Sequence, residues 1–122
     1  MSPQAYRVLP GQKVYLGDWQ TDDDGGLDRD DAEDTTDDLN DRLEELQELL
    51  YAEGKHKVLV VIQATDTGGK DGTIRHVFDK LNPQGVKVTS FKRPTDEELG
   101  HDYLWRVHEH TPKTGEITIF NR

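Results

Sequence analysis

Asp66, Thr67, Gly68, Gly69, Lys70, Gly72 and Thr73 are the residues of this chain whose types and spacing suit a chemistry. Glycines let backbone N–H groups curl around an anion, a lysine adds positive charge, and a threonine hydroxyl follows one turn later. That set fits phosphate binding and charge neutralisation during phosphoryl transfer. Val58-Leu59-Val60-Val61-Ile62 runs straight into the glycines and a helical pattern follows at once. The layout is that of a strand, an anion-binding turn, and a helix whose positive dipole end faces the anion. The strict pattern G-x-x-x-x-G-K-[ST] is missed twice, with Ala64 in place of the first glycine and Asp71 after Lys70. The plain alternative is a tight glycine turn that only joins strand to helix; the strand-to-helix context favours the phosphate loop.

Asp66 is the odd residue in such a loop. A carboxylate inside an anion nest repels phosphate unless a cation lies between them, and magnesium is the natural cation. Asp66 is then a metal ligand or a base orienting the acceptor; otherwise it is a helix N-terminal Asp satisfied by backbone N–H groups. Lys70 would neutralise the transferring phosphoryl group. Arg75, early in the helix, is either a phosphate contact or a surface residue. Lys92 and Arg93 close the second strand, and Arg106 reads as structural beside Trp105. Asn121 and Arg122 end the third strand, where folds of this kind place a metal-binding acid and a phosphate contact. The five histidines show no metal-ligand spacing with carboxylates.

These residues need elements to hold them. Leu39, Leu43, Leu46, Leu49 and Leu50 recur at helical spacing, with Thr35 or Thr36 as cap and Gly54 as stop, which predicts an amphipathic helix of about four turns. Lys57 to Gln63 is a strand whose unbroken apolar run suits burial on both faces. A helix follows from Lys70 to Leu81, ended by Asn82-Pro83-Gln84-Gly85. Val86 to Phe91 is the second strand. Thr95 to Glu98 form a capping box that opens a single helix to about His110, with Leu99, Tyr103, Leu104 and Val107 inward. Glu116 to Asn121 is the third strand. Helix, then β-α-β-α-β, predicts half of a doubly wound parallel sheet with ligands outside the carboxyl ends of its strands.

Ahead of these elements lie a short alternating piece, Lys13 to Leu16, and Trp19. They read as an irregular arm with one anchoring aromatic rather than an edge strand. Residues 21–38, rich in Asp, Gly and Thr, read as a flexible acidic loop without the spacing of a calcium loop. The expected division is 1–53, an acidic arm and amphipathic helix, and 54–122, a partial phosphotransferase domain.

The 122 residues make one small domain. Their net charge of −10 is uneven: residues 1–53 hold 16 acidic and 4 basic side chains, residues 54–122 hold 9 and 11. The half with the loop is mildly basic, so global acidity argues little against a polyanionic ligand; the acidic part reads as solvated surface or as the mark of a high-salt habitat. There is no cysteine, no apolar run of membrane-spanning length, and Met-Ser-Pro-Gln-Ala lacks the parts of a signal peptide. The expectation is a cytoplasmic protein with no membrane or nucleic-acid partner.

Several segments, in order, resemble the polyphosphate kinase 2 family. They are Leu46-Gln47 with Leu50-Tyr51-Ala52-Glu53, the loop from Asp66 to Thr73, Asn82-Pro83-Gln84-Gly85, Pro94-Thr95 with Glu98, His101 to Arg106, and Gly115-Glu116 leading to Ile119-Phe120-Asn121-Arg122. The resemblance implies a thymidylate kinase-like α/β fold: a P-loop kinase-like three-layer parallel sheet, here cut after the third strand. It implies phosphoryl transfer between inorganic polyphosphate and a nucleoside mono- or diphosphate with Mg2+, and a homo-oligomer at full length. Asp66 and Lys70 map to the family's essential loop Asp and Lys. Asn121 and Arg122 map to a second motif of Asp or Asn followed by Arg, Asn resembling the nucleotide phosphotransferase branch. The implied roles are catalysis at Asp66, Lys70 and Arg122, phosphate binding by Thr67, Gly68, Gly69, Lys70, Gly72, Thr73 and Arg75, and metal at Asp66 and Asn121.

Family members continue beyond this point with further strands and a basic helical lid, so the chain is expected to be part of a longer protein, marginally stable because its third strand lacks an outer neighbour. Two other readings stay open: a non-catalytic phosphate-binding fragment and an ATP-dependent small-molecule kinase.

Overall fold

The computed structural model of the chain describes residues 6–122, so the Met-Ser-Pro-Gln-Ala start lies outside the described residues. The chain divides into two compact units, Met1–Asp37 and Asp38–Arg122.

In the first unit the Lys13-to-Leu16 piece forms no strand; a 3-10 turn spans Leu16–Asp18. The Tyr6 and Trp19 rings lie 6.3 Å apart, and the Tyr6 hydroxyl donates to Asp23 at 2.9 Å. Asp23 and Asp24 accept from the N–H groups of Gly25 and Gly26 at 2.9 and 2.8 Å, closing a turn on their own side chains.

Helix α1 then spans Arg29–Glu53, well ahead of the expected start at Thr35 or Thr36. The expected acidic loop over 21–38 is therefore helical from residue 29 on. Asp28 is the reason: its Oδ1 accepts from the Asp31 N–H at 2.9 Å, capping the helix one turn before the threonines. The Thr36 hydroxyl donates to the Ala32 carbonyl at 2.7 Å, a bond made inside a helix rather than at its cap.

The second unit is built on three parallel strands, β1 (Val58–Ile62), β2 (Val86–Ser90) and β3 (Ile117–Asn121), in the order β1-β3-β2. Ile119 pairs with Val60 on one side and Val88 on the other. The last strand in the chain is thus the middle one in space. The expected weakness of β3 is corrected: it has a neighbour on each side, and Ile117, Thr118, Ile119 and Phe120 are all buried. Burial on both faces was expected of β1 instead. As the edge strand it keeps Leu59 43% and Val61 56% exposed, because only one neighbour and one face cover it.

One face of the sheet carries the core. Leu81, Ile117 and Ile119 are buried there, packed by Leu43 and Leu50 of α1, Val60 and Ile62 of β1, Ile74 and Phe78 of α2 (Lys70–Phe78), and Val86. Helix α2 stops short of the expected Leu81, yet Leu81 itself still packs into the core.

The face α1 presents differs from the leucine stripe. Leu43 and Leu50 go inward as expected, but Asn40 and Gln47 are buried beside them, while Leu39, Leu46 and Leu49 are exposed. The buried amides bond backbone groups in the last turn of α2 and in the turn that follows it. Asn40 Nδ2 donates to the His76 carbonyl at 2.9 Å. Gln47 Oε1 accepts from the Asn82 N–H at 3.2 Å, holding the Asn82-to-Gly85 turn against α1. Gly85 must be glycine here, since a Cβ at that position would overlap the Gln47 amide.

The single helix expected over Thr95–His110 is two short ones, α3 (Asp96–Gly100) and α4 (Trp105–His108). The capping box is present: Thr95 Oγ1 accepts from the Glu98 N–H, and Glu98 Oε2 from the Thr95 N–H. The break comes at His101, whose backbone is extended, and Asp102, whose Oδ1 accepts from the Leu104 N–H at 3.0 Å and starts a new turn. Val107 lines the second sheet face beside Phe91 and Phe120, while Leu99, Tyr103 and Leu104, expected inward, are exposed.

Gln47→Leu should cost about 1 kcal/mol or more, because it removes the part-buried bond between the Gln47 amide and the Asn82 N–H. Leu49→Ala, on the exposed stripe, should stay within about 0.5 kcal/mol. Urea unfolding of both variants checks this contrast, and equal losses would contradict the assigned face.

Candidate phosphate-binding site

The candidate site lies where β1 and β3 end. The Arg122 N–H donates to the Ile62 carbonyl at 3.0 Å, and Ile62 pairs in register with Asn121. Parallel pairing therefore sets the loop after β1 beside the residues that close β3. Asn121 also pairs with Ser90, and its carbonyl accepts from the Phe91 N–H at 3.0 Å, so Lys92 and Arg93 leave the sheet on the same edge.

The loop from Gln63 to Gly69 is exposed along its whole length. Its backbone is bent by two left-handed residues, Thr67 at φ 61° and Gly69 at φ 79°. Left-handed residues alternating with others are the kind of backbone that turns successive N–H groups toward one anion. A threonine is rarely left-handed, and strained backbone of this sort persists where the surrounding structure over-determines it, as at ligand clamps. The Gly68 N–H donates to the Thr65 carbonyl at 3.0 Å, and the Thr67 hydroxyl to the Asp66 carbonyl at 2.6 Å. A Cβ on Gly68 would lie 2.7 Å from the Ala64 methyl and 2.8 Å from the Thr65 carbonyl oxygen. The methyl that departs from the usual glycine at 64 is thus accommodated because 68 has none.

Gly69 caps α2 and Lys70 opens it. Lys70 Nζ reaches back over the loop to the Ala64 carbonyl at 3.4 Å, so its charge stays at the helix start. Thr73 is one turn on, its N–H and hydroxyl both donating to the Gly69 carbonyl at 2.9 and 3.1 Å. Asp66 sits exposed at the turn. Gly72 is on the first turn of α2. Arg75 is exposed further along α2, lining a groove with Ile74, Phe78 and Val88 near β2. Arg122 lines a separate, largely apolar cavity of about 570 Å³ with Leu59, Val61, Phe91, Glu98, Arg106 and Phe120. The structure therefore gathers Asp66 to Thr73 and the β3 end at one edge, and puts the side chains of Arg75 and Arg122 at its margins.

Two residues mattered more than their types suggested. Asp71 accepts a 2.6 Å hydrogen bond on Oδ1 from Asn121 Nδ2, linking the first turn of α2 to the end of β3. Its only signal in the sequence was its place directly after Lys70. Arg106 donates to the Lys92 carbonyl at 2.9 Å and to Glu98 at 3.2 Å, with its guanidinium 5.4 Å from the Phe91 ring centroid. It holds the corner that carries Lys92 and Arg93, the structural role expected of it. Among the described residues no three His, Asp or Glu side chains converge as a metal cluster, and no helix is long and apolar enough to cross a membrane.

The family model for polyphosphate kinase 2 matches residues 26–122. This chain belongs to the polyphosphate kinase 2 family. It is 56% identical over 119 residues to the AMP/ADP-polyphosphate phosphotransferase of Meiothermus ruber, a match covering 96% of this chain and 45% of that protein. It is 46% identical over 118 residues to the ADP-polyphosphate phosphotransferase of Rhodopseudomonas palustris, covering 96% and 41%. The crystal structure of polyphosphate kinase 2 from Arthrobacter aurescens superimposes with a TM-score of 0.87 at 38% identity, covering 95% of this chain and 43% of that one. The chain spans less than half the length of these relatives. Its parallel α/β sheet with flanking helices is the fold that the resemblance implied.

Gly68→Ala should disrupt the loop of this polyphosphate kinase 2 chain, since neither the Ala64 methyl nor the Thr65 carbonyl can move without shifting backbone. Gly100→Ala, at the end of α3 and outside the loop, meets no atom within 4 Å and should be tolerated. Titration with inorganic tripolyphosphate, followed by calorimetry, should show weakened binding for the first variant only.

Proposed function

We propose that the complete protein transfers phosphoryl groups between inorganic polyphosphate and an adenine nucleotide, AMP or ADP. The observation that carries this is the loop itself: left-handed Thr67 and Gly69 directly before Lys70, at the end of β1 and beside the end of β3. The names of the Meiothermus and Rhodopseudomonas relatives support the substrate class.

In this reading the loop N–H groups and the α2 dipole cradle the phosphates, with Thr67, Gly68, Gly69, Gly72 and Thr73 shaping the cradle. One P–O bond to the donor chain breaks as a terminal phosphate oxygen of the nucleotide forms the new one. That oxygen is already anionic, so positioning and charge neutralisation do most of the work. Lys70 stabilises the charge on the transferring group, and Arg75 and Arg122 contribute from the margins. Carboxylate and amide oxygens are the hard donors magnesium takes, so Asp66 and the Asn121 amide oxygen fit as its ligands. Magnesium held by these oxygens would supply charge neutralisation and orientation of phosphate oxygens. The same reading takes the complete protein as a cytoplasmic homo-oligomer without nucleic-acid or membrane partners.

For the 122 residues by themselves we propose phosphate binding without turnover. The open edge and exposed face of β1, with Leu59 and Val61 in solvent, leave one side of the site unwalled.

Luminescent detection of ATP made from ADP or AMP with polyphosphate and Mg2+ tests both statements. The complete protein should be active, and Asp66→Asn and Lys70→Ala should each lose about a hundredfold or more. Full activity in the double variant would refute the site, and turnover by the 122-residue chain would refute the second statement.

A further inference from the structure

By sequence, Asp71 is a misfit where Ser or Thr belongs, and Asn121 is a weakened acid where a carboxylate belongs. In the structure the two are partners across 50 residues, with Asn121 Nδ2 donating to Asp71 Oδ1 at 2.6 Å. In the usual P-loop arrangement a hydroxyl stands on the helix side and an acid on the strand side. Here the acid stands on the helix and the donor on the strand, so the polarity of the pair is inverted.

Three physical points favour this inversion. An ionised carboxylate only accepts, so while residue 71 is an acid its partner must donate, and the amide nitrogen does. A second carboxylate at 121 would face the first within hydrogen-bond distance, and two carboxylates so close cannot both ionise cheaply. The first turn of α2 favours negative charge through its dipole, so the charge is better kept at 71 than at the strand end.

We propose that Asn121 is a positioning residue for Asp71, and that Asp71 carries the carboxylate that the strand end would otherwise supply. The pair fastens the first turn of α2, and with it Lys70, to the end of the central strand. Asn121 thus acts through its nitrogen on Asp71 before it acts through its oxygen on any cation. The inference rests on the phosphotransferase reading for its catalytic consequence, but the coupling of the two side chains stands on geometry alone. It has a counter-intuitive corollary: Asn121→Asp, which restores the expected acid, is harmful unless Asp71 changes as well.

The test uses the complete protein with Asn121→Asp, Asp71→Asn and the double exchange, which keeps net charge and reverses the bond. Melting is followed without metal or substrate at about pH 8. Asn121→Asp should lower Tm by about 2–4 °C or more. The double exchange should recover most of the loss. In the polyphosphate assay Asn121→Asp should lower kcat by about tenfold or more with a smaller change in KM, and the double exchange should regain part of it.

An Asn121→Asp protein as stable as wild type, or a double exchange no better than that single variant, overturns the coupling. Normal kcat in a destabilised Asn121→Asp protein overturns the positioning role. A wild-type protein without phosphoryl transfer overturns the phosphotransferase reading and the positioning role with it, while the melts still decide whether the side chains are coupled.

Discussion

The parallel pairing of β3 with both β1 and β2 is the constraint on which the rest of the structure depends. Because β3 is central, Ile119 is fully buried, and the core side chains of α1, α2 and both outer strands meet over it. Because the pairing is parallel and in register, all three strands end on one edge. The loop after β1 and the Asn121-Arg122 end of β3 then become neighbours without any contact of their own having to bring them there. In an open parallel sheet that edge is where ligands bind.

Long-range polar anchoring does the next part. Asn40 and Gln47 occupy inward positions of α1 that leucines could have filled, and bond the His76 carbonyl in the last turn of α2 and the Asn82 N–H in the turn after it. A buried N–H without a partner is expensive, so one amide on a helix can fix a turn that has no ladder of its own. The Asn82-to-Gly85 turn is held in this way, and it feeds β2 into register: the Ile117 N–H bonds the Gly85 carbonyl at 2.9 Å as the sheet begins.

At the site, charge is distributed by the same logic of donors and acceptors. Lys70 bends back to the Ala64 carbonyl, Asp71 takes the Asn121 amide, and Arg106 ties Lys92 to the capping box at Glu98. The loop between them stays exposed and bent by left-handed residues. A firm rim around an exposed, bent loop is a fitting design for an anion site, since the backbone N–H groups have to face the ligand.

The local patterns were legible in the sequence. The apolar run of β1, the glycine-rich turn, the start of α2 at Lys70, the Thr95–Glu98 capping box and the family all follow from short-range spacing and residue type, because caps, turns and periodicity act over a few residues. Asp28 as the cap of α1 and the break at His101-Asp102 are local too, but Asp28 lies ahead of the leucine stripe that begins at Leu39, and the break lies within a helical pattern that runs on to His110. What tertiary structure alone decided is non-local. Which strand is central, which face of α1 is inward, and that Asp71 answers Asn121 depend on pairings tens of residues apart. An unbroken apolar run cannot say how many neighbours a strand has, and a leucine stripe cannot outrank two amides whose backbone partners lie on another element. The sequence determined that a glycine-rich loop with a lysine joins β1 to α2. The parallel crossover, by bringing the end of the chain alongside that loop, decided what stands opposite it.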